Sequence, residues 1–257
     1  MGRQINLNCD MGESYGRWTL GHDGPLMELV PTINVACGFH AGDPHVMRRT
    51  VELAARAGVE IGAHVALTDV LGFGRRRMAI TADELGDYVL YQVGALRAFV
   101  EAAGLRLGHV KPHGALFAMC GESEEYALAL LGAMRALDPA LVAIVGGPAV
   151  PAAAAATGMR AVPEGYVDLA YQPNGFPVLE RAKRAWDPAE VADRALRIVR
   201  ERRLPAVDGS LLTVEVPTIC VHGDAPNALE VARAVRARLA AEGIAVVPLT
   251  RMLTEEE

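Results

Sequence analysis

Lysine is nearly missing from this chain. Of 25 lysines and arginines in 257 residues, only Lys111 and Lys183 are lysine. Aromatic residues are also scarce, at 5%, and the formal net charge is −6. With no basic stripe and no interleaved aromatics, the usual footprint of nucleic-acid binding is excluded. Four cysteines without CxxC spacing exclude the common zinc and dithiol motifs. Cys9, Cys37 and Cys220 each fall in an apolar strand candidate, which predicts buried, reduced thiols in a cytoplasmic protein. The opening Met-Gly-Arg-Gln runs into a strand candidate, so no signal peptide is expected. One charge-free run, 139–159, is long enough to raise the question of a membrane span. Pro148, Pro151 and several glycines interrupt it, and it reads as strand, glycine turn and alanine-rich helix. The chain has no GxxxxGK[ST], HExxH or GxSxG motif, and Gly72-Phe73-Gly74 is too slight for a dinucleotide fingerprint.

What is present is a repeated strand, loop and helix. Hydrophobic content is 51%, enough for a sizeable core. Strands are predicted over 4–9, 33–37, 59–63, 107–110, 141–145, 160–163, 218–221 and 245–249. Helix signals lie between them. Asp43-Pro44 reads as N-cap and first helical residue, with Gly58 as terminator. Thr81 and Glu84 read as a capping box, and Asp187-Pro188 with Glu190 as a third start signal. Helices are also expected over 123–137 and from Pro226 to about Glu242. The pattern runs without a composition break, predicting an α/β fold in one domain, 1–257, with a parallel sheet.

Chemistry-bearing side chains are predicted just past the strand ends: Asp10 and Glu13, His40, His64, Lys111 and His113, Glu164, then His222 and Asp224. In a closed or nearly closed barrel those ends share one rim. Asp43 and Asp224 each have the simpler reading of a helix cap. A Cys37–His40 nucleophilic pair is a minor alternative. Arg75-Arg76-Arg77 reads either as a solvated loop or as an anion clamp. Lys111 ends an apolar strand in a chain that writes nearly every other cation as arginine, which suggests a compact ammonium chosen for an oxyanion or a carboxylate. Lys183 lies in a basic loop and shows no comparable role.

Six segments carry a family resemblance: NLNCDMGE (6–13), NVACGFHAGDP (34–44), IGAH (61–64), GFGRR (72–76), VKPHGAL (110–116) and TICVHGD (218–224). Together they resemble the LamB/YcsF family over nearly the whole chain. The resemblance implies an irregular seven-stranded (β/α) barrel of the glycoside hydrolase/deacetylase type. It also implies ATP-dependent opening of 5-oxoproline to glutamate, with this chain as the A component beside partner B and C subunits. On that reading Asp10, Glu13, His64, Lys111 and His113 are catalytic. Asn8, Asn34, His40, Arg75, Glu164 and His222 bind substrate. Asp10→Asn and Lys111→Ala are expected to abolish turnover without unfolding the protein.

Departures from the family pattern are local. Val65-Ala66-Leu67-Thr68 stands where Pro-Gly-Tyr-Pro is usual, and Val167-Asp168-Leu169 where Ala-Asp-Arg is usual. Asn174 and Pro217 replace aspartates, and the stretch after Arg181 is not recognisable. Two other readings use the same barrel. One is a metal-dependent deacetylase or amidohydrolase, with a divalent ion on Asp10, His40, His64 or His113. The other is a non-catalytic binding component.

Overall fold

The computed structural model describes residues 3–180 and 183–254. The elements in chain order are β1 (Gln4–Met11), α1 (Asp23–Met27), β2 (Thr32–Ala36), α2 (Pro44–Ala57), β3 (Glu60–Val65), α3 (Ala82–Ala102), β4 (Leu107–Pro112), α4 (Gly114–Glu122), α5 (Glu124–Leu137), β5 (Val142–Ile144), α6 (Val150–Thr157), β6 (Arg160–Val162), β7 (Glu164–Tyr166), α7 (Pro188–Glu201), β8 (Arg203–Pro205), β9 (Leu211–Thr213), β10 (Thr218–His222), α8 (Ala228–Ala241), β11 (Ala245–Val246) and α9 (Leu249–Thr254).

The main sheet runs β6-β5-β4-β3-β2-β1-β10-β7, with β11 added on β1. Its ladders are parallel. The two edge strands, β6 and β7, are separated in the chain by Pro163 alone. One residue spans only a few ångströms (about 3.5 Å), so the edges must meet and the sheet curls into a nearly closed barrel. The resemblance implied seven strands, whereas eight lie on this path. The physical reason is Pro163, which has no N–H to continue a ladder. The strand expected over 160–163 ends at Val162, and a further, unexpected strand starts at Glu164: β6 pairs with β5 and β7 with β10.

Helix α2 follows its sequence signals closely. The Asp43 carboxylate accepts from the backbone N–H of His45 and Val46, and Gly58 ends the helix at φ 67°. The Thr81–Glu84 capping box forms at α3. Other elements differ from expectation. Helix α4 begins directly after His113, and the 204–217 connector holds the antiparallel β8–β9 pair. Only Ala245–Val246 of the last expected strand is extended, and α9 follows it. Helix α8 starts at Ala228 with Asn227 as its N-cap residue, so Asp224 is not a cap. No helix among the described residues is long and apolar enough to cross a membrane. The departure after Arg181 and the acidic tail that the sequence predicts over 254–257 fall partly outside the described residues.

Strand alternation decides where polarity goes. In β1, Ile5, Leu7, Cys9 and Met11 join the apolar core, while Asn6, Asn8 and Asp10 are buried on the opposite face. The same alternation sets Thr32 and Asn34 apart from Ile33 and Val35, and Cys220 and His222 apart from Ile219 and Val221. The barrel interior is therefore a polar network, whose members hydrogen-bond one another as buried groups must. Asn6 donates to Thr32 Oγ1 at 2.8 Å and accepts from Thr218 Oγ1 at 2.6 Å.

Candidate active site

Register brings distant residues level with one another. Asp10 sits beside Asn34 and His222, and His64 sits beside Lys111. Asp10, His64 and Lys111 are the penultimate residues of their strands and His222 is the last of its own, rather than lying in the loops beyond them. Glu164, two residues past the end of β6, is also the first residue of β7. Glu13, His40 and His113 lie in the loops after β1, β2 and β4.

Lys111 is the centre of charge. Its Nζ lies 3.0 Å from Asp10 Oδ1, 2.9 Å from Glu164 Oε2 and 3.1 Å from Cys220 Sγ. Burial works against the ammonium, but Asp10, Cys220 and Glu164 hold its pKa well above the ordinary lysine value. Burial likewise opposes ionisation of Asp10, yet the charges of His64 and Lys111 keep that carboxyl well below its usual range. Asn8 and Asn34 hold the carboxylates in place. Asn8 Nδ2 donates to Glu164 Oε1 at 2.6 Å, and Asn34 Nδ2 donates to Asp10 Oδ1 at 2.8 Å. Behind them, His109 Nε2 donates to Asn34 Oδ1 at 2.7 Å.

Two histidines have their ring orientation set by carbonyls. His64 Nδ1–H donates to Lys111 O at 3.0 Å, and His113 Nε2–H donates to Phe73 O at 2.8 Å. The remaining nitrogens, His64 Nε2 and His113 Nδ1, face each other at 2.9 Å. Two lone pairs repel at that separation, so the pair must share a proton or face a cation. His64 Nε2 is also 3.2 Å from Asp10 Oδ2. His40 stacks on His113 with ring centroids 3.9 Å apart, and its Nε2 lies 3.1 Å from Glu13 Oε1. Burial, then the charge of His64, pushes the His40 pKa down. Burial, then His40, does the same to His113. Burial, then the charges of Asp224 and Asp10, pushes Glu13 up.

The donor atoms of Glu13, His40, His64 and His113 lie within 4.8 Å of one another, as do those of Asp10, Cys220 and His222. Both groups have the composition of metal ligand sets. In the first, the facing nitrogens and the buried His40 Nδ1, which has no hydrogen-bond partner among the described residues, fit a cation.

His222 is oriented by a residue that sequence reading did not select. Its Nδ1 and its backbone N–H each lie 2.8 Å from an oxygen of Asp168. Burial opposes the Asp168 charge, but His222 holds its pKa down at about 2. His222 Nε2 then points toward Asp10 Oδ2, 3.9 Å away.

A cleft opens over this floor, lined by Asp10, His64, Lys111, His113, His222, Tyr166, Arg75 and Lys183. Asn8, Asn34, His40, Glu13 and Glu164 do not line it; they hold the residues that do. The arginine run divides. Arg76 and Arg77 are half-exposed and pair with Asp69 and Glu122, whereas Arg75 turns inward to Asp224 at 2.6 Å. Cys37 is not an activated nucleophile: burial pushes its thiol up to about 12. Asp168 sits inside the Val-Asp-Leu departure, so a signal pointed to it. Lys183 carried no local signal at all.

The chain is 47% identical over 246 residues to the 5-oxoprolinase A subunit of Nocardia farcinica, covering 94% of this chain and 98% of that one. It superposes on the lactam utilization protein of Thermus thermophilus with a TM-score of 0.86 and 43% identity, covering 95% and 99% of the two chains. A T48 deacetylase, 14% identical with a TM-score of 0.50 over 99% and 92% of the chains, shares the barrel fold alone. The LamB/YcsF family model matches residues 5–254, so the chain whose rim carries Asp10, His64, Lys111 and His222 belongs to the LamB/YcsF family.

Proposed function

We propose that this chain is the A subunit of an ATP-dependent 5-oxoprolinase, opening 5-oxoproline or a related cyclic amide to glutamate in the cytoplasm. The observation that carries the reading is the convergence of Asp10, His64, Lys111 and His222 on one cleft floor, in a chain 47% identical to a protein of that name.

A five-membered lactam is resonance-stabilised and resists water. Transfer of the ATP γ-phosphoryl group to the lactam oxygen makes the ring carbon electrophilic. Water then adds to that carbon, the C–N bond breaks with a proton delivered to nitrogen, and γ-glutamyl phosphate results. Its hydrolysis releases glutamate and phosphate. His222, aligned by Asp168, takes the proton from water at Nε2. His64, between Asp10 and His113, delivers a proton to the leaving nitrogen. Lys111, fixed by two carboxylates, faces the negative charge that develops on oxygen. The chain has no phosphate loop, so nucleotide binding is assigned to the partner B and C subunits or to a surface shared with them.

The test is this chain with and without its partner subunits, given 5-oxoproline and ATP, with glutamate and phosphate measured. No turnover alone and coupled turnover together are expected. Glutamate released by the isolated chain without nucleotide overturns the reading.

A second reading, a metal-dependent hydrolase, is favoured by the facing nitrogens of His64 and His113 beside Glu13 and His40. A divalent ion there would activate water as a Lewis acid. Stoichiometric metal by elemental analysis, with hydrolysis lost to chelator in the absence of ATP, supports it. Full coupled turnover by metal-free protein overturns it.

A further inference from the structure

The cleft has a second buried ammonium. The Lys183 side chain is 5% exposed, and its Nζ has Asp224 Oδ1, 2.9 Å away, as its one charged partner among the described residues and makes no further hydrogen bond there. The other oxygen of Asp224 accepts from Arg75 Nη2 at 2.6 Å, and Arg75 Nη1 donates to the Glu180 carbonyl at 2.7 Å. Asp224 is therefore shared between two cations, and Lys183 keeps N–H donors without an acceptor.

A lysine carries three N–H donors, and burying them unmatched is costly. An acceptor arriving from the cleft would remove that cost. The cleft that Lys183 lines also has an apolar stretch of wall, formed by Leu169, Pro177, Val178 and Leu179. An apolar wall and an unmatched ammonium in one cleft suit a small ring bearing one carboxylate. A phosphoryl group shares the oxyanion chemistry but presents no apolar face to that wall.

We propose that Lys183, with Arg75 and Asp224, forms the carboxylate-binding corner of the cleft and sets the orientation of the lactam over Lys111 and His64. The proposal rests on the lactam reading and assigns a specificity role within it.

Calorimetric titration of the full chain with 5-oxoproline, with its uncharged analogue 2-pyrrolidinone, with acetate and with inorganic phosphate tests this. Wild type is expected to bind 5-oxoproline about tenfold more tightly than 2-pyrrolidinone. Lys183→Met erases that preference without changing 2-pyrrolidinone affinity, and Lys183→Arg retains most of it. In the assembled enzyme, Lys183→Met raises KM with little change in kcat. Equal 5-oxoproline affinity in wild type and Lys183→Met overturns the proposal. Lys183-dependent binding of phosphate without a carboxylate preference overturns it in favour of a phosphoryl site. If neither lactam binds but acetate binds in a Lys183-dependent way, the corner stands and the lactam reading falls. If no anion depends on Lys183, the corner falls.

Discussion

Lys111 is wedged between Asp10 and Glu164 with 2% of its side chain exposed. Removing one member of such a group leaves its partners charged, buried and facing each other. Lys111→Met is therefore expected to abolish turnover and also to lose about 3–5 kcal/mol of stability, read by urea denaturation. Lys111→Ala is expected to carry a similar stability cost beside its loss of turnover. Asp10→Asn keeps its shape and should lose turnover with a smaller stability change. His109 sets a pH dependence. Burial, then the charge of Lys111, lowers its pKa to about 3, so the folded chain keeps it neutral. Below about pH 6.5 the unfolded chain takes up a proton that the folded chain refuses. Stability is thus full above that pH and falls as acid is added down to about pH 3. His109→Gln should flatten the dependence in that window, measured by denaturation across a pH series.

At the scale of elements, β3 shows why a glycine is needed inside a strand. A Cβ on Gly62 would overlap the His109 ring, which donates to Asn34 Oδ1. Gly62→Ala is expected to cost about 1–3 kcal/mol and to lower turnover by displacing Asn34 from Asp10. Thermal melting and coupled turnover of the same variant check both effects. Helix α2 was legible residue by residue because Asp43, Pro44 and Gly58 act within their own turns. The alternation of β1 is equally local, but the strand was expected only as an apolar segment over 4–9: QINLNCDM alternates polar and apolar residues. A buried strand with polar residues at every second position announces a polar barrel interior. Helix α4 was not legible. It carries apolar residues all round, from Ala115 to Gly121, and offers no stripe to read.

At the scale of the molecule, closure of the sheet at Pro163 leaves the amino-terminal end of the barrel to be covered. Helix α9 covers part of it. Leu249 and Leu253 bury against Val142, Ile144 and Val162, and Leu249 N–H donates to Glu60 Oε2 at 2.8 Å. Leu253→Ala should cost about 2–5 kcal/mol in chemical denaturation while leaving the distant cleft, and KM, unchanged.

The amino-acid sequence by itself determined the parallel α/β plan, the caps of α2 and α3, and the set of acids, imidazoles and ammonium at the strand ends. Those features depend on interactions within a few residues, or on alternation along one strand. Tertiary structure alone decided which polar atoms meet. The Asn8–Glu164 hydrogen bond joins residues 156 apart in the chain, and its existence depends on strand register and barrel closure. The same holds for Asp168 behind His222, and for Lys183 beside Asp224: each is an ordinary loop residue until the barrel brings its partner within hydrogen-bonding or ion-pair distance.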